Sequence, residues 1–319
     1  MKELTAAHTI GIDVGGTNTK FGIADSGGKI VFQDVIKTDN YNEVTDMIDA
    51  IYEKIQFYRK EAEIIVKGVG IGAPNGNFYS GNIEDAANLK WKGIIPLANL
   101  IEEKFGLPAK LTNDANAAAL GEMAYGAARG MKDFIMITLG TGVGSGIVAN
   151  GRLILGHDGF AGELGHTIVI PDGRPHKHTG LKGSLEVYAS ATGVVATAKE
   201  FLTASTEKSL LREIKDADIN SKKIFEAALQ GDEIARRVFE YTGKILGMAL
   251  ANFVMFSSPQ AIILFGGLTK SGEMIMKPVR ENMERNLLPI FQNKVQLLFS
   301  ELKENDAAIL GASSLVCDL

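Results

Sequence analysis

Apolar residues alternate at Ile10, Ile12 and Val14, and strand-like patterning resumes over residues 21–24 and 30–36, around the polar turn Asp-Ser-Gly-Gly-Lys at 25–29. A period of two broken by a short glycine-bearing turn predicts hairpin-linked strands. The spacing then changes. Val44, Met47, Ile48, Ile51, Ile55 and Tyr58 recur at helical intervals, which predicts an amphipathic helix over residues 42–61. A buried strand over 64–71 ends at Gly72-Ala73-Pro74, where a helix cannot easily continue. Residues up to Trp91 read as loop, followed by a helix over 96–105 and a short strand over 109–111. Asn113-Asp114 then opens an alanine-rich helix over 115–129.

The strand pattern restarts at residues 134–139, followed by a glycine loop over 140–146 and a short apolar run at 147–149. Asn150-Gly151 lies between that run and residues 153–155, a strong hairpin signal. Helical patterns cover 184–202, 221–229 and 232–256, and a buried strand over 261–265 ends in Gly266-Gly267. A helix over 272–286, a strand over 295–299 and a small-residue helix over 307–316 complete the chain. The second half opens as the first did, with strand, glycine-rich turn, strand and hairpin. Alternating strands and helices predict α/β layers in two similarly built lobes, the last helix being free to return to the first lobe.

Composition narrows the function classes. A chain of 319 residues is long for one core, so two domains are expected. A net charge of −5 with no basic stripe argues against a nucleic-acid partner. The single cysteine, Cys317, excludes an intramolecular disulfide and fits a reducing compartment. The longest apolar run, residues 245–256, is too short to span a bilayer, and the first residues lack the apolar run of a signal peptide. The expectation is a cytoplasmic protein without a membrane partner.

Chemistry concentrates in a few stretches. Asp13-Val-Gly-Gly-Thr-Asn-Thr-Lys20 joins two strands. Its Gly15, Gly16 and Thr17 can offer N–H and hydroxyl groups to phosphate oxygens, Asp13 can hold a hydrated Mg²⁺, and Lys20 adds positive charge. A capped hairpin turn is the competing reading. Gly140, Thr141 and Gly142 begin a second glycine-rich turn. It is no dinucleotide fingerprint, because a strand and an Asn-Gly hairpin follow it where that motif requires a helix, which leaves a second phosphate-contacting turn or an ordinary bulged hairpin. Asp114, at a strand-to-helix junction, is either an N-terminal cap or a general base. Asn113 beside it, Asn88, Glu163, His166 and Glu186 are groups suited to sugar hydroxyls, which both donate and accept, with an Asx turn at Asn88 and a structural, hydrogen-bonded histidine at His166 as the competing readings.

Taken together, DVGGTNTK, GAPNG, ANLKW, NDANAAALGE, LGTGVGSG, GFAGELGH, GSLE and FGG resemble the ROK family of repressors, open-reading-frame proteins and sugar kinases, in order and spacing along essentially the whole chain. The resemblance implies an actin-like ATPase fold of the ribonuclease H-like class, with two α/β lobes around a cleft. It implies a small lobe over residues 1–118 with a C-terminal helix over 304–319 packing back on it, and a large lobe over 119–303. It also implies Asp114 as catalytic base. Asn88, Asn113, Asp114, Glu163, His166 and Glu186 would bind sugar, and the turns Gly15 to Thr17, Gly140 to Gly142 and Gly266-Gly267 would hold ATP with Mg²⁺. The branch it resembles most is the ATP-dependent glucokinase type, which phosphorylates glucose in glycolysis, and a homodimer is implied. Fructose, mannose or an N-acyl hexosamine as substrate, and a non-catalytic sugar-sensing regulator, are the alternatives.

One departure stands out. Many family members follow Gly-His with CxCGxxGCxE, whose cysteines bind zinc with the histidine. Aligned on Gly180, Gly183 and Glu186, those positions are Lys177, Thr179 and Ser184 here. None replaces a thiolate, and the neighbouring His176 and His178 need not converge with His166 on a metal. The expectation is no structural zinc, with the insert over residues 170–181 held by packing and hydrogen bonds.

Overall fold

The computed structural model describes residues 8–317, so residues 1–7 and 318–319 of the expected lobe and C-terminal helix lie outside the described residues. The first part of the chain forms β1 (His8–Val14), β2 (Asn18–Asp25), β3 (Ile30–Lys37), helix α1 (Val44–Ala62), β4 (Val66–Gly72), the two-residue pair β5 (Ile83–Glu84) and β6 (Ile94–Ile95), α2 (Leu97–Phe105), β7 (Ala109–Thr112) and α3 (Asp114–Tyr125). The second part forms β8 (Phe134–Leu139), β9 (Val143–Ala149), β10 (Arg152–Leu153), α4 (Glu186–Ala189), α5 (Ala191–Ala204), α6 (Ser221–Leu229), α7 (Glu233–Ser257), β11 (Ala261–Phe265), α8 (Glu273–Asn286), β12 (Gln296–Phe299) and α9 (Glu304–Ser314). The class is α/β, as the alternation of patterns predicts.

The two sheets repeat one order. The first runs β3-β2-β1-β4-β7 and the second β10-β9-β8-β11-β12. In each, counted by its own strands, the order is third, second, first, fourth, fifth. The echo between the two halves of the sequence is therefore a repeated topology. In the first sheet β1, β4 and β7 are parallel, and in the second β8, β11 and β12 are parallel. The turns after β1, β4 and β7 consequently leave one edge of the first sheet, and those after β8 and β11 leave one edge of the second. Carboxyl ends of parallel strands are where α/β sheets bind ligands.

The chain divides into two compact units. One comprises Met1–Lys132, Gly146–Gly162 and Ser300–Leu319, the other Asp133–Ser145 and Glu163–Phe299. The core of the first unit is built from the strand positions the alternation marks: Ile10, Ile12, Phe21, Ile23 and Ile71 are fully buried with Met47, Ile51 and Ile55 of α1. α9 belongs to this unit and lies against β1, β4 and α3. The second unit buries Phe134, Ile137, Ile262 and Ile263 from its strands, with Val238, Leu246 and Leu250 of the long helix α7. Among the described residues no helix is long and apolar enough to cross a membrane.

Three local expectations change. The single helix expected over 184–202 is two, because the Ser190 hydroxyl donates to the Glu186 carbonyl at 2.7 Å and accepts from Gly193 N–H at 3.0 Å, ending α4 and capping α5. The glycine loop expected over 140–146 is only a turn at 140–142, and Gly144 and Gly146 lie inside β9. A β-carbon at Gly146 would stand 2.8 Å from Ala119 of α3, so close packing accounts for that glycine. The alanine-rich helix ends at Tyr125, four residues short of its expected end.

Candidate active site

In the first unit, the ends of β1 and β7 bring two carboxylates together. Asp13 closes β1 and stands opposite Lys20 in the β1–β2 register. Asp114 opens α3, and a β-carbon added at Gly72, the last residue of β4, would lie 3.7 Å from both an Asp13 oxygen and the Asp114 Cα. Burial and the negative charge of Asp114 push the Asp13 carboxyl up to about 7, against the opposing pull of Lys20. Asp114 is open along one side, yet the protein around its carboxyl also pushes it upward, against the lowering effect of the Ala115 N–H that it accepts at 2.8 Å. The negative charge of Asp114 disfavours ionised Asp13, and a cation beside the two would relieve that repulsion.

Asn113 realises the capping reading of its position. Its Oδ1 accepts from Asn116 N–H at 2.7 Å, which leaves the amide nitrogen for a ligand. The turn after β1 is tied down: Gly15 N–H donates to the Asn18 carbonyl at 3.0 Å, Thr38 N–H to the Thr17 carbonyl at 2.9 Å, and the Thr38 hydroxyl to the Gly15 carbonyl at 2.7 Å. Gly16 abuts the backbone of Asn88, whose carbonyl oxygen would meet an added β-carbon at 2.4 Å. The Asn88 loop is pinned in turn by Lys92, whose ammonium donates to the carbonyls of Ala86, Ala87 and Leu89, the last at 2.7 Å. Asp13, Gly15 to Thr17, Asn88, Asn113 and Asp114 are therefore assembled at one edge of one sheet.

In the second unit, Gly140 to Gly142 follow β8 and Gly266-Gly267 follow β11. Gly266 has φ +108° and sits against the backbone of Leu139, so the two turns touch. A β-carbon at Gly140 or Gly267 would meet nothing within 4 Å. Exposed backbone of this kind suits phosphate oxygens, so the residues present fit a nucleotide. Gly142 is glycine for another reason: a β-carbon there would stand 2.4 Å from a Glu186 carboxylate oxygen. Thr141 is fixed through its carbonyl, which accepts from the Thr192 hydroxyl at 2.9 Å.

The candidate sugar groups of this unit cluster around Glu186, the first residue of α4. Its Oε2 accepts from Val143 N–H at 2.7 Å, and its Oε1 lies 2.6 Å from His176 Nε2. The His166 ring stands edge-on to that of His176 with centroids 5.5 Å apart, and its Nε2 lies 3.8 Å from Glu163 Oε2. Zinc does not fit this set. Both ring nitrogens of His176 are engaged, Nδ1 by Thr179, and among the described residues no group of three His, Cys, Asp or Glu side chains is placed to hold a metal ion. The insert is held instead by Arg174. Its guanidinium pairs with Glu200 at 2.7 Å, donates to Thr197 and to the Val187 and Gly193 carbonyls, and lies 4.7 Å from the centre of the Tyr188 ring.

Beyond these turns, the second unit contains a cavity of about 1080 Å³ that no motif marks. It begins at Ser271, Glu273 and Met274, a few residues past Gly266-Gly267, and is lined by Phe201, Tyr241 and Lys244 among others. Its only trace in the sequence is the row Arg237, Tyr241 and Lys244 at helical spacing on α7, which also describes an ordinary solvated helix face.

A family model described as the ROK family matches residues 9–318. The chain belongs to the ROK family. This ROK chain is 37% identical over 313 residues to the glucokinase of Halalkalibacterium halodurans, with 96% of this chain and 94% of that protein covered. A solved ROK family glucokinase from Streptomyces griseus, in complex with glucose and AMPPNP, is 35% identical with a TM-score of 0.80, covering 97% of this chain and 99% of the other. The xylose repressor of Bacillus subtilis is 30% identical over 318 residues, 98% of this chain but 78% of the repressor. The fold is thus the actin-like one of ROK sugar kinases, and relatives of both kinds, kinase and repressor, share it.

Proposed function

We propose that this ROK protein transfers the γ-phosphoryl group of ATP to a hexose, with glucose and its 6-hydroxyl as the preferred acceptor. The observation that carries the reading is the Asp13–Asp114 pair, a carboxylate of raised basicity at a strand end beside a second one suited to a hydrated cation. Asp114 takes the proton as the sugar oxygen forms its bond to phosphorus and the bond from phosphorus to the ADP oxygen breaks. Asn88, Asn113, Glu163, His166 and Glu186 hold sugar hydroxyls. The turns Gly15 to Thr17, Gly140 to Gly142 and Gly266-Gly267 hold the phosphates through the remaining N–H groups and the Thr17 and Thr141 hydroxyls, the N–H groups of Gly15 and Gly140 being used within their own turns, with Lys20 adding charge. Asp13 would hold Mg²⁺ through water, and that ion would supply charge neutralisation along the phosphates. The adenosine occupies the cavity beside Met274, Tyr241 and Lys244. The glucose and AMPPNP bound by the Streptomyces griseus relative, the latter an ATP analogue, support both ligand classes. The protein works in the cytoplasm, in glycolysis, as a homodimer.

A coupled ADP-release assay across glucose, fructose, mannose and N-acyl hexosamines tests the substrate. Glucose should give the highest kcat/KM, and a higher value for another sugar would replace it as acceptor. Asp114→Asn should lower kcat by about 10²- to 10⁴-fold while calorimetry still detects sugar binding. Near-native turnover in that variant would remove Asp114 from the role. The second reading, a sugar sensor without turnover, is favoured by the likeness to a xylose repressor. ADP release absent from every sugar would select it.

A further inference from the structure

We infer that His176 is a positioning residue for the proposed sugar-binding carboxylate Glu186, which it holds through a hydrogen-bond relay. The inference rests on the kinase reading above and concerns a side chain that reading leaves without a role.

The relay can be followed atom by atom. Thr179 N–H donates to His176 Nδ1 at 3.1 Å, and the Thr179 hydroxyl lies 3.0 Å from the same nitrogen. A backbone N–H can only donate, so Nδ1 is the acceptor and carries no proton. The neutral imidazole therefore has its proton on Nε2, which donates to Glu186 Oε1 at 2.6 Å. The other oxygen, Oε2, is held by Val143 N–H at 2.7 Å. Both carboxylate oxygens are thus fixed from opposite ends, and each keeps lone pairs for a ligand hydroxyl.

His176 is itself immobilised. The segment containing it folds back as a narrow hairpin, with isolated bridges pairing Ile168 with Ser184 and Pro175 with Lys182. His176 N–H donates to the Leu181 carbonyl at 2.7 Å, and Gly180 N–H donates to the His176 carbonyl at 2.9 Å. Its side chain is 11% exposed, against 19% for Glu186, whereas Glu163 and His166 are open at 54% and 36%. The two inner residues hold one another, and the outer ones are accessible to a ligand. An edge-on contact with His166 at 5.5 Å carries the same constraint to a second proposed sugar group. Loss of such an orienting partner lowers function without any contact to the ligand itself.

The test uses the full chain and four variants, His176→Ala, His176→Gln, Glu186→Gln and the double variant of the first and third, with wild-type glucose binding and turnover measured first. His176→Ala should raise the KM for glucose about ten-fold, the cost of one charge-assisted hydrogen bond, while the KM for ATP stays within two-fold. The terminal amide of His176→Gln can place an N–H where Nε2 stands, so this variant should recover most of the affinity. In a Glu186→Gln background, His176→Ala should add little, because both act through one carboxylate. Unchanged glucose KM in folded His176→Ala, additive effects in the double variant, or stoichiometric zinc lost with His176→Ala would each overturn the inference while leaving the kinase reading intact. A wild type inactive on every sugar would overturn the kinase reading and the inference with it.

Discussion

Asp13 and Asp114 illustrate how far one pair of side chains can set the behaviour of the protein. The Asp13 carboxyl is raised from 3.8 to about 7 by burial and by its neighbour's charge. Between those values the native chain keeps a proton that the unfolded chain has lost, so stability falls as pH rises through this window and levels off above it. Asp13→Asn should abolish that contribution. Relative to wild type it should gain at most about 1.4 kcal/mol per pH unit across the window, read from urea midpoints at pH 4 to 8 without magnesium. Parallel curves for the two proteins would show that Asp13 titrates as an ordinary carboxylate. The sequence shows both aspartates as candidates, since each sits at a strand-to-turn boundary. It does not show that they are neighbours, because that depends on β4 lying between β1 and β7.

The same limit governs the larger elements. Hairpins and the helix over residues 42–61 are legible because periods of two and 3.6 are local properties of the sequence. The split at Ser190 is less so, since one hydroxyl redirects two backbone groups within a run that keeps its helical period. The His176–Glu186 bond is not legible at all, because it follows from how residues 168–184 fold back on themselves. Small residues at the α9 seam read only as helix-compatible composition, yet their reason is distance. A β-carbon on Gly70 of β4 would stand 1.8 Å from the Ala312 carbonyl oxygen, and one on Gly11 of β1 would stand 2.0 Å from that of Ile309. Backbone cannot yield as a side-chain tip can, so Gly70→Ala should destabilise by roughly 1–3 kcal/mol or more. A urea midpoint equal to wild type would mean that α9 can slide away from the sheet without loss.

At the scale of the molecule, the two units differ in how the chain builds them. The second is drawn from Asp133–Ser145 and Glu163–Phe299, whereas the first needs Ser300–Leu319 to join strands formed by the opening residues. α9 covers β1, β4 and α3, so one face of the first sheet stays open until almost the entire chain is present. Loop-closure entropy grows slowly, about 0.6 kcal/mol per doubling of length, so the cost of bringing α9 back is modest against the apolar surface it covers. What such distant contacts cost most is time. Ending the chain at Phe299 should therefore bare the face of the first sheet that carries Gly11, Gly22 and Gly70, while Ile10, Ile12 and Ile71 keep α1 on the other face and Phe134, Ile262 and Leu250 keep their cover in the second unit. Amide hydrogen exchange on this shortened chain should show β1, β4 and α3 exchanging as an unfolded segment does, with β8, β11 and α7 still protected. Protection persisting in β1 and β4 would mean that packing against α1 alone holds the first sheet, and that the glycines at 11 and 70 serve a later docking step and not folding itself.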